Sequence, residues 1–555
     1  MSNVNTQRSL GFLVVGVIVT VIIAIAGLYW FFAKPQVKFV TTPSPGAAMF
    51  VSKLAPVMVS LLGNPEGLQS QDPSGELSHL KTSLLAHSAI NYQKDIKPWL
   101  GNEITLSVTS LDIDRDPDNG MQPGYLMALA TDKPRQSREF LDLLFSQGVL
   151  AGGNLAVEQY QGVKLLSDGS NSLAGAIVGE FVLFANHPKV LREAINNVQA
   201  PGLNLLSSSP YQRASQQLPK KSLATAFFNL PALAQWQGWE LPSATFHSQM
   251  ISLSVNSQGL WAETNFLSDS ILVAPSPSVS HPVAALEYIP DGASLIICGS
   301  DLNNLGDSDL GQLWTQIKTV FSSSGTDGIS GLVAPLTELE KNQGMTLKGD
   351  IFSWVKGEYA LALLPQRKST AVDWVFVVEN KEDVPQGVAG LDAIAASRGL
   401  SLSSVNLNEQ KIYAWTKLTA AAQAASGEEG RKFAIDAQVQ GVHTILGNYQ
   451  IFASSLEVLD QVMTNNHGAL MADGQVKARN RNFLDSMAAI PKSNQGYVYV
   501  DWTKSKTLLE SQLPILQVLE IVGQPFFHNL RSLTISSYGE EAKLLKGGVL
   551  MQFLH

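Results

Sequence analysis

The chain reads as an α+β protein: an N-terminal transmembrane helix followed by two similar modules, each a largely antiparallel sheet with helices on one side. Three observations predict this. A short motif recurs at a constant offset, the order of strand-like and helix-like stretches repeats around it, and one long apolar run stands at the N-terminus.

The motif is Asp95-Ile96-Lys97-Pro98-Trp99-Leu100-Gly101-Asn102-Glu103. It returns as Asp350-Ile351-Phe352-Ser353-Trp354-Val355-Lys356-Gly357-Glu358, with Asp, Ile, Trp and Glu in register. In each copy the Asp caps a short helical turn, and Ile and Trp form its buried face. Gly101 and Gly357 supply a left-handed residue that ends the turn. Glu103 and Glu358 then open the apolar strands Ile104 to Val108 and Tyr359 to Leu363.

The apolar run, Leu10 to Ala33, carries no charge. At ~1.5 Å per residue it reaches about 36 Å, enough to cross a ~30 Å hydrocarbon core with tilt. Tyr29, Trp30, Phe31 and Phe32 stand where an interfacial aromatic belt would sit. A cleaved signal peptide would have a shorter apolar region followed by small residues, not bulky aromatics. The run therefore predicts an uncleaved span through the lipid bilayer at 10–33, after a tail at 1–9 and before a polar stem at 34–46. Orientation is nearly balanced: Arg8 and the amino terminus flank one side, Lys34 and Lys38 the other.

The first module covers 47–270. Val57 to Leu62 reads as a buried strand closed by Gly63-Asn64-Pro65, and His79 to Ala89 as a helix leading into the Asp95 turn. Tyr125 to Ala130 is a strand, and Ser137 to Phe145 is an amphipathic helix stopped by Gly148. Hairpins are expected around Gln161-Gly162, around Gly179-Glu180 and through Asn256-Ser257-Gln258-Gly259. Pro188 to Val198 is helical, and Leu223 to Phe228 is a strand. The Pro/Ser stretch at 271–283 is the linker.

The second module, 284–555, repeats the order. Ser294 to Cys298 is the strand, with Asp301 capping its helix. Trp374 to Val378 matches Tyr125 to Leu129. Gly390 to Ile394 matches Phe140 to Leu144, and that helix ends at Gly399. The Gly447 hairpin matches the Gly179 hairpin, with Phe184-Ala185 reappearing as Phe452-Ala453. Tyr497 to Val500 is a strand, and Leu533 to Ile535 with Val549 to Phe553 close the copy as a hairpin. Generic alternation would match element order by chance, but not the Asp-Ile-x-x-Trp turn and the glycine hairpins in register. Duplication of one module is the reading.

Composition narrows the functional classes. The 555-residue chain has room for several domains. It is 45% hydrophobic and only 15% charged, against a usual ~25%. Its net charge of −9 gives no electrostatic case for nucleic acid. The single cysteine, Cys298, excludes an intrachain disulfide and any Cys-pair metal or redox motif, and reads as a small buried hydrophobe.

One stretch carries possible cofactor chemistry. Asp112, Asp114, Asp116 and Asp118 alternate before Asn119-Gly120, and a tightly turning acidic loop is what Ca²⁺ wants. The helix–loop–helix calcium pattern fails, because Pro117 stands where its Gly belongs and Tyr125 where its Glu does. The competing reading is a solvated turn. The pairs Asp95/Glu103 and Asp350/Glu358 would suit acid–base catalysis, yet a cap and a strand-edge carboxylate explain them. Trp99 and Trp354 read as core. No His-Glu-x-x-His run, Gly-x-Ser-x-Gly elbow, Walker loop or dinucleotide fingerprint occurs, so no catalytic residue is assigned.

The Asp95-Ile96-x-Pro98-Trp99-Leu100-Gly101 turn, the run Ala55 to Leu62 and Asp112 to Asp116 together resemble a bacterial family well represented in cyanobacteria and catalogued only as a domain of unknown function. The resemblance covers nearly all of the chain beyond the span. The second copy departs from it, with Ser353 in place of Pro98 and an extra residue before Gly357. It implies a single-pass membrane protein with a cytoplasmic N-terminus and its bulk in the periplasm or thylakoid lumen. It brings no activity.

The sequence thus favours a membrane-anchored, non-enzymatic interaction or assembly factor with a membrane-protein partner. Two alternatives stay open: an anchored, hydrolase-type enzyme with a dispersed site, and a carrier enclosing a lipid or pigment.

Overall fold

The computed structural model describes residues 46–62, 92–303 and 350–553, less 238–245, 269–278, 423–432, 468–480, 506–529 and a few shorter stretches. The expected span, the helix His79 to Ala89 and the helix after Asp301 lie outside the described residues. Among the described residues no helix is long and apolar enough to cross a membrane. What is described is a large mixed α+β structure with extensive antiparallel sheet and flanking helices. Contacts sort the described residues into two compact units, one ending at Leu272 and one within Val273–Glu520 and Asn529–His555.

Among the described residues the first unit holds ten strands: β1 (Val57–Leu62), β2 (Leu100–Ser110), β3 (Gly124–Thr131), β4 (Leu155–Tyr160), β5 (Val163–Asp168), β6 (Ala174–Val178), β7 (Phe181–Ala185), β8 (Ala224–Asn229), β9 (Phe246–Asn256) and β10 (Gly259–Ser268). Their hydrogen bonding gives the order β10-β9-β8-β1-β2-β3-β7-β6-β5-β4, antiparallel throughout. One row crossing the sheet runs Val59, Leu106, Met127, Phe184, Gly175, Leu166. Its helices are α1 (Pro134–Leu150), α2 (Pro188–Gln199), α3 (Ser209–Gln216) and α4 (Leu230–Gln237).

The second unit holds β11 (Leu295–Gly299), β12 (Tyr359–Pro365), β13 (Val372–Glu379), β14 (Leu400–Leu407), β15 (Gln410–Ala422), β16 (Phe433–Leu446), β17 (Tyr449–Ala453), β18 (Tyr497–Asp501), β19 (Leu530–Ser537) and β20 (Leu544–Phe553). They stand in the order β20-β19-β18-β11-β12-β13-β17-β16-β15-β14. Here a row runs Ile297, Leu361, Phe376, Phe452, His443, Tyr413. The helices are α5 (Val384–Ser397), α6 (Leu456–His467) and α7 (Arg481–Ala488).

Local chemistry explains the turns. Gln161 and Gly162 have φ of 50° and 80°, the paired left-handed residues of a tight hairpin. Gly179 and Gly447, at 59° and 56°, turn β6 into β7 and β16 into β17. Gly399, at 77°, ends α5.

Three expectations need correction. Helices cover both faces of each sheet, not one. Leu141 and Phe145 of α1 pack on the face of Phe184, while Tyr211 of α3 packs edge-on against Phe227 at 5.3 Å, in the row of Met58 and so on the opposite face. In the second unit Leu391 of α5 joins Phe452, while Phe483 of α7 meets Tyr499 across the sheet. Central strands such as β8 and β18 are accordingly buried at consecutive positions. Gly148 does not stop α1, which runs on to Leu150. Gly101 and Gly357 do not adopt the left-handed conformation. They allow close approach instead: a Cβ on Gly101 would lie 2.9 Å from Asp132 Oδ1, and one on Gly357 would lie 2.7 Å from Glu379 Oε2.

Candidate functional site

The recurrent motif builds a structural centre in each unit. In the first, Asp95 lies within the turn Tyr92–Ile96, and its carbonyl accepts the Trp99 indole N–H at 2.6 Å. Trp99, 2% exposed, closes a core with Ile96, Leu100, Leu141, Phe145 and Phe184. In the second, the Trp354 indole donates to the Asp350 carbonyl at 2.8 Å, and Trp354 packs with Val355, Phe376, Leu391 and Phe452. A buried indole needs an acceptor, and the preceding turn supplies it.

The glutamates pin the segment that enters each unit. Glu103 accepts the backbone N–H of Gly46 (2.8 Å) and Ala47 (2.9 Å) and the Thr105 hydroxyl (2.8 Å). These amides open the short helical turn Gly46–Met49, so the carboxylate faces its positive end. Burial raises the Glu103 carboxyl above its ordinary value, against the pull of those donors. Glu358 likewise accepts from Ala284 N at 2.8 Å, at the turn Ala284–Tyr288, and from the Tyr449 hydroxyl at 3.0 Å. Both carboxylates are spent on fixed donors, as holding a fold requires.

A third buried cluster, absent from the sequence reading, is the strongest candidate for chemistry. His443 of β16 is 3% exposed. Its Nε2 lies 3.2 Å from Asp392 Oδ1 on α5, and its Nδ1 lies 3.2 Å from the Gln450 amide nitrogen on β17. The same Asp392 oxygen accepts the Trp415 indole N–H at 2.7 Å. Tyr413 stacks on the imidazole at 5.1 Å, with Trp415 and Phe452 beside it. Burial pushes His443 below the ordinary imidazole value, while Asp392 pulls it up. An amide nitrogen can only donate, so Nδ1 accepts and Nε2–H donates to Asp392. That is a neutral imidazole with both nitrogens committed, and neither Gln450 nor Trp415 yields a proton to it. The arrangement ties a helix to three strands; it is not set up to shuttle protons. The signal in sequence was weak: a lone His on a strand whose partners lie far away in the chain.

The acidic loop uses its carboxylates on its own backbone. Asp114 Oδ1 accepts from Asp116 N at 3.1 Å, Asp116 Oδ1 from Asp118 N at 3.0 Å, and Asp112 Oδ1 from Gln122 N at 3.4 Å. Among the described residues no group of three or more His, Cys, Asp or Glu is arranged to hold a metal ion. Cys298 is fully buried in β11, and burial pushes its thiol far up.

Extensive antiparallel sheet with helices on its faces, in which Glu103, Glu358 and His443 are held by fixed partners, defines a large mixed α+β protein. Residues 13–553 match the family described as a protein of unknown function, DUF3352, and the chain belongs to that family. No curated protein matches the chain. Among solved structures, "Structure of crystal form I of TP0453" is similar at 9% identity with a TM-score of 0.25, over 41% of this chain and 81% of that one. "Structure of crystal form IV of TP0453" is similar at 8% identity with a TM-score of 0.23, over 42% and 81%. Likeness at this level carries no argument about function.

Proposed function

We propose that the chain is a membrane-tethered, non-enzymatic interaction or assembly protein made of two copies of one module. The observation that carries the non-enzymatic part is His443: the one His–Asp pair at hydrogen-bond distance among the described residues has both ring nitrogens held by fixed partners. The duplication is supported by the row Val59-Leu106-Met127-Phe184 and its counterpart Ile297-Leu361-Phe376-Phe452, and by the indole bond made inside each Asp–Trp turn. The tether is the apolar run 10–33, with the N-terminus in the cytoplasm and the bulk in the periplasm or thylakoid lumen. Tagged full-length protein, drawn from gently solubilised membranes and analysed for proteins and lipids by mass spectrometry, should bring down a defined membrane complex. Migration alone under those conditions would overturn the reading.

A further inference from the structure

We propose that the outer edge of β14 is a docking strand for an extended peptide segment with an apolar centre and carboxylates at its ends; this deepens the interaction reading by naming a surface.

A sheet edge presents unpaired backbone N–H and C=O groups, and proteins guard such edges with charges, proline, bulges or short strands. The strand β14, Leu400-Ser401-Leu402-Ser403-Ser404-Val405-Asn406-Leu407, carries none of these guards. It pairs with β15 without a register break from Leu400 opposite Lys417 to Leu407 opposite Gln410, and it pairs with no other described strand. Its six central residues are exposed, and Leu402 and Val405 each show 45% of their surface, one on either face. The outermost strand of the first unit differs. There Glu158, in the middle of β4, is held by Arg192 at 2.7 Å, which places a charge pair on the edge.

Charge complementarity selects the occupant. Lys411 and Lys417 of β15 lie opposite Asn406 and Leu400, on the same face of the sheet. Both are exposed, and neither makes an ion pair with the described residues. Lys411 Nζ rests 4.8 Å from the Tyr413 ring centroid. On this face Asp392 is taken up by Trp415 and His443 and Asp436 lies opposite Thr419 on the far side of β15, so Lys411 and Lys417 are the charges that face the β14 edge. A strand added to β14 would run two strand spacings from β15, roughly 10 Å. A lysine and a glutamate reaching over β14 span that distance. Carboxylates six residues apart on one face of the added strand meet the two lysines, and apolar residues between them cover Leu402. Strand addition supplies backbone bonds for affinity, and side chains at alternate positions supply selectivity.

The test uses the full chain in detergent and two labelled peptides, Glu-Thr-Val-Thr-Val-Thr-Glu and the same peptide with lysine at both ends, followed by fluorescence anisotropy. The glutamate-ended peptide should bind about fivefold tighter, the discrimination two exposed ion pairs provide. Lys411→Glu combined with Lys417→Glu should reverse the preference. The two-residue turn after Leu407 directs the Ser404 N–H away from β15, so Ser404→Pro should abolish binding of both peptides. Equal binding of the two peptides by the native chain, no binding of either, or binding that survives Ser404→Pro overturns the proposal. If Ser404→Pro does not fold, the surface charge reversal decides alone. Peptide binding alongside an empty membrane pull-down would sink the assembly reading and leave the docking strand standing; a recovered complex without peptide binding would do the reverse.

Discussion

The two units solve the same packing problem with opposite choices of side chain. In the first unit Gly175 follows Phe184 in its row, and a Cβ there would come within 2.7 Å of the Phe145 ring and 2.8 Å of Leu141. The glycine makes room for a large residue on the helix. In the second unit the residue after Phe452 in the row is His443, and the helix opposite offers the small Ala395 and the polar Asp392. Volume moves from helix to strand, and the His443–Asp392 pair stands where the first unit has Gly175 and Leu141–Phe145. Interiors are close-packed, so a gain on one side demands a loss on the other. The Asp–Trp turns, by contrast, are alike in their indole bond.

The comparison can be broken most sharply at the tryptophans. Trp99→Ala and Trp354→Ala should each cost about 3–5 kcal/mol in chemical denaturation. A loss below about 1 kcal/mol in one, with the full loss in the other, would show that the two turns do not play one structural part.

Next come the glycines. Gly175→Ala should destabilise the first unit by about 1–3 kcal/mol through overpacking against Phe145. Gly387→Ala should destabilise the second by a similar amount, because its Cβ would meet the Trp354 ring. Combining Gly175→Ala with Phe145→Leu should recover part of the first loss; additive losses would refute the volume exchange.

Acid should then separate the units. The folded-state value of His443 is depressed, so the unfolded chain binds the extra proton first, and this group's contribution to stability falls as pH drops below the ordinary imidazole range of about 6.5. The folded-state value of Glu103 is raised, so its cost at neutral pH is relieved as pH falls through that raised value. Thermal unfolding of His443→Gln should show less loss between neutral pH and pH 5 than the native chain, and Glu103→Gln should show more. Identical pH profiles for all three would remove this contrast.

The smallest effect is expected at the acidic loop. With Asp112, Asp114 and Asp116 already accepting backbone amides, millimolar calcium or a chelator should move the melting temperature by no more than about 1 °C. A rise of several degrees, lost in Asp114→Asn, would restore the calcium reading.

Much of the fold was legible because short-range chemistry dictates it. Gly162, Gly179 and Gly447 announce their hairpins by favouring positive φ, and β6 and β7 meet at the expected Gly179-Glu180 turn. Where a glycine's role depends on what lies beside it, sequence misleads. Gly148 sits inside a helix and Gly399 ends one, while Gly101 and Gly357 face neighbouring side chains. The strand β14 carries no sequence signal, since a Ser-rich edge exposed along its length has no apolar alternation to betray it.

By itself the sequence determined the α+β class, most strand positions, the turns and the apolar run at 10–33, because each depends on residues near one another in the chain. Tertiary structure alone decided that helices cover both sheet faces, that Glu103 and Glu358 hold the entering segments, and that Asp392, Trp415, His443 and Gln450 meet. Those outcomes depend on contacts between residues tens of positions apart, and strand pairing, not local preference, brings such residues together.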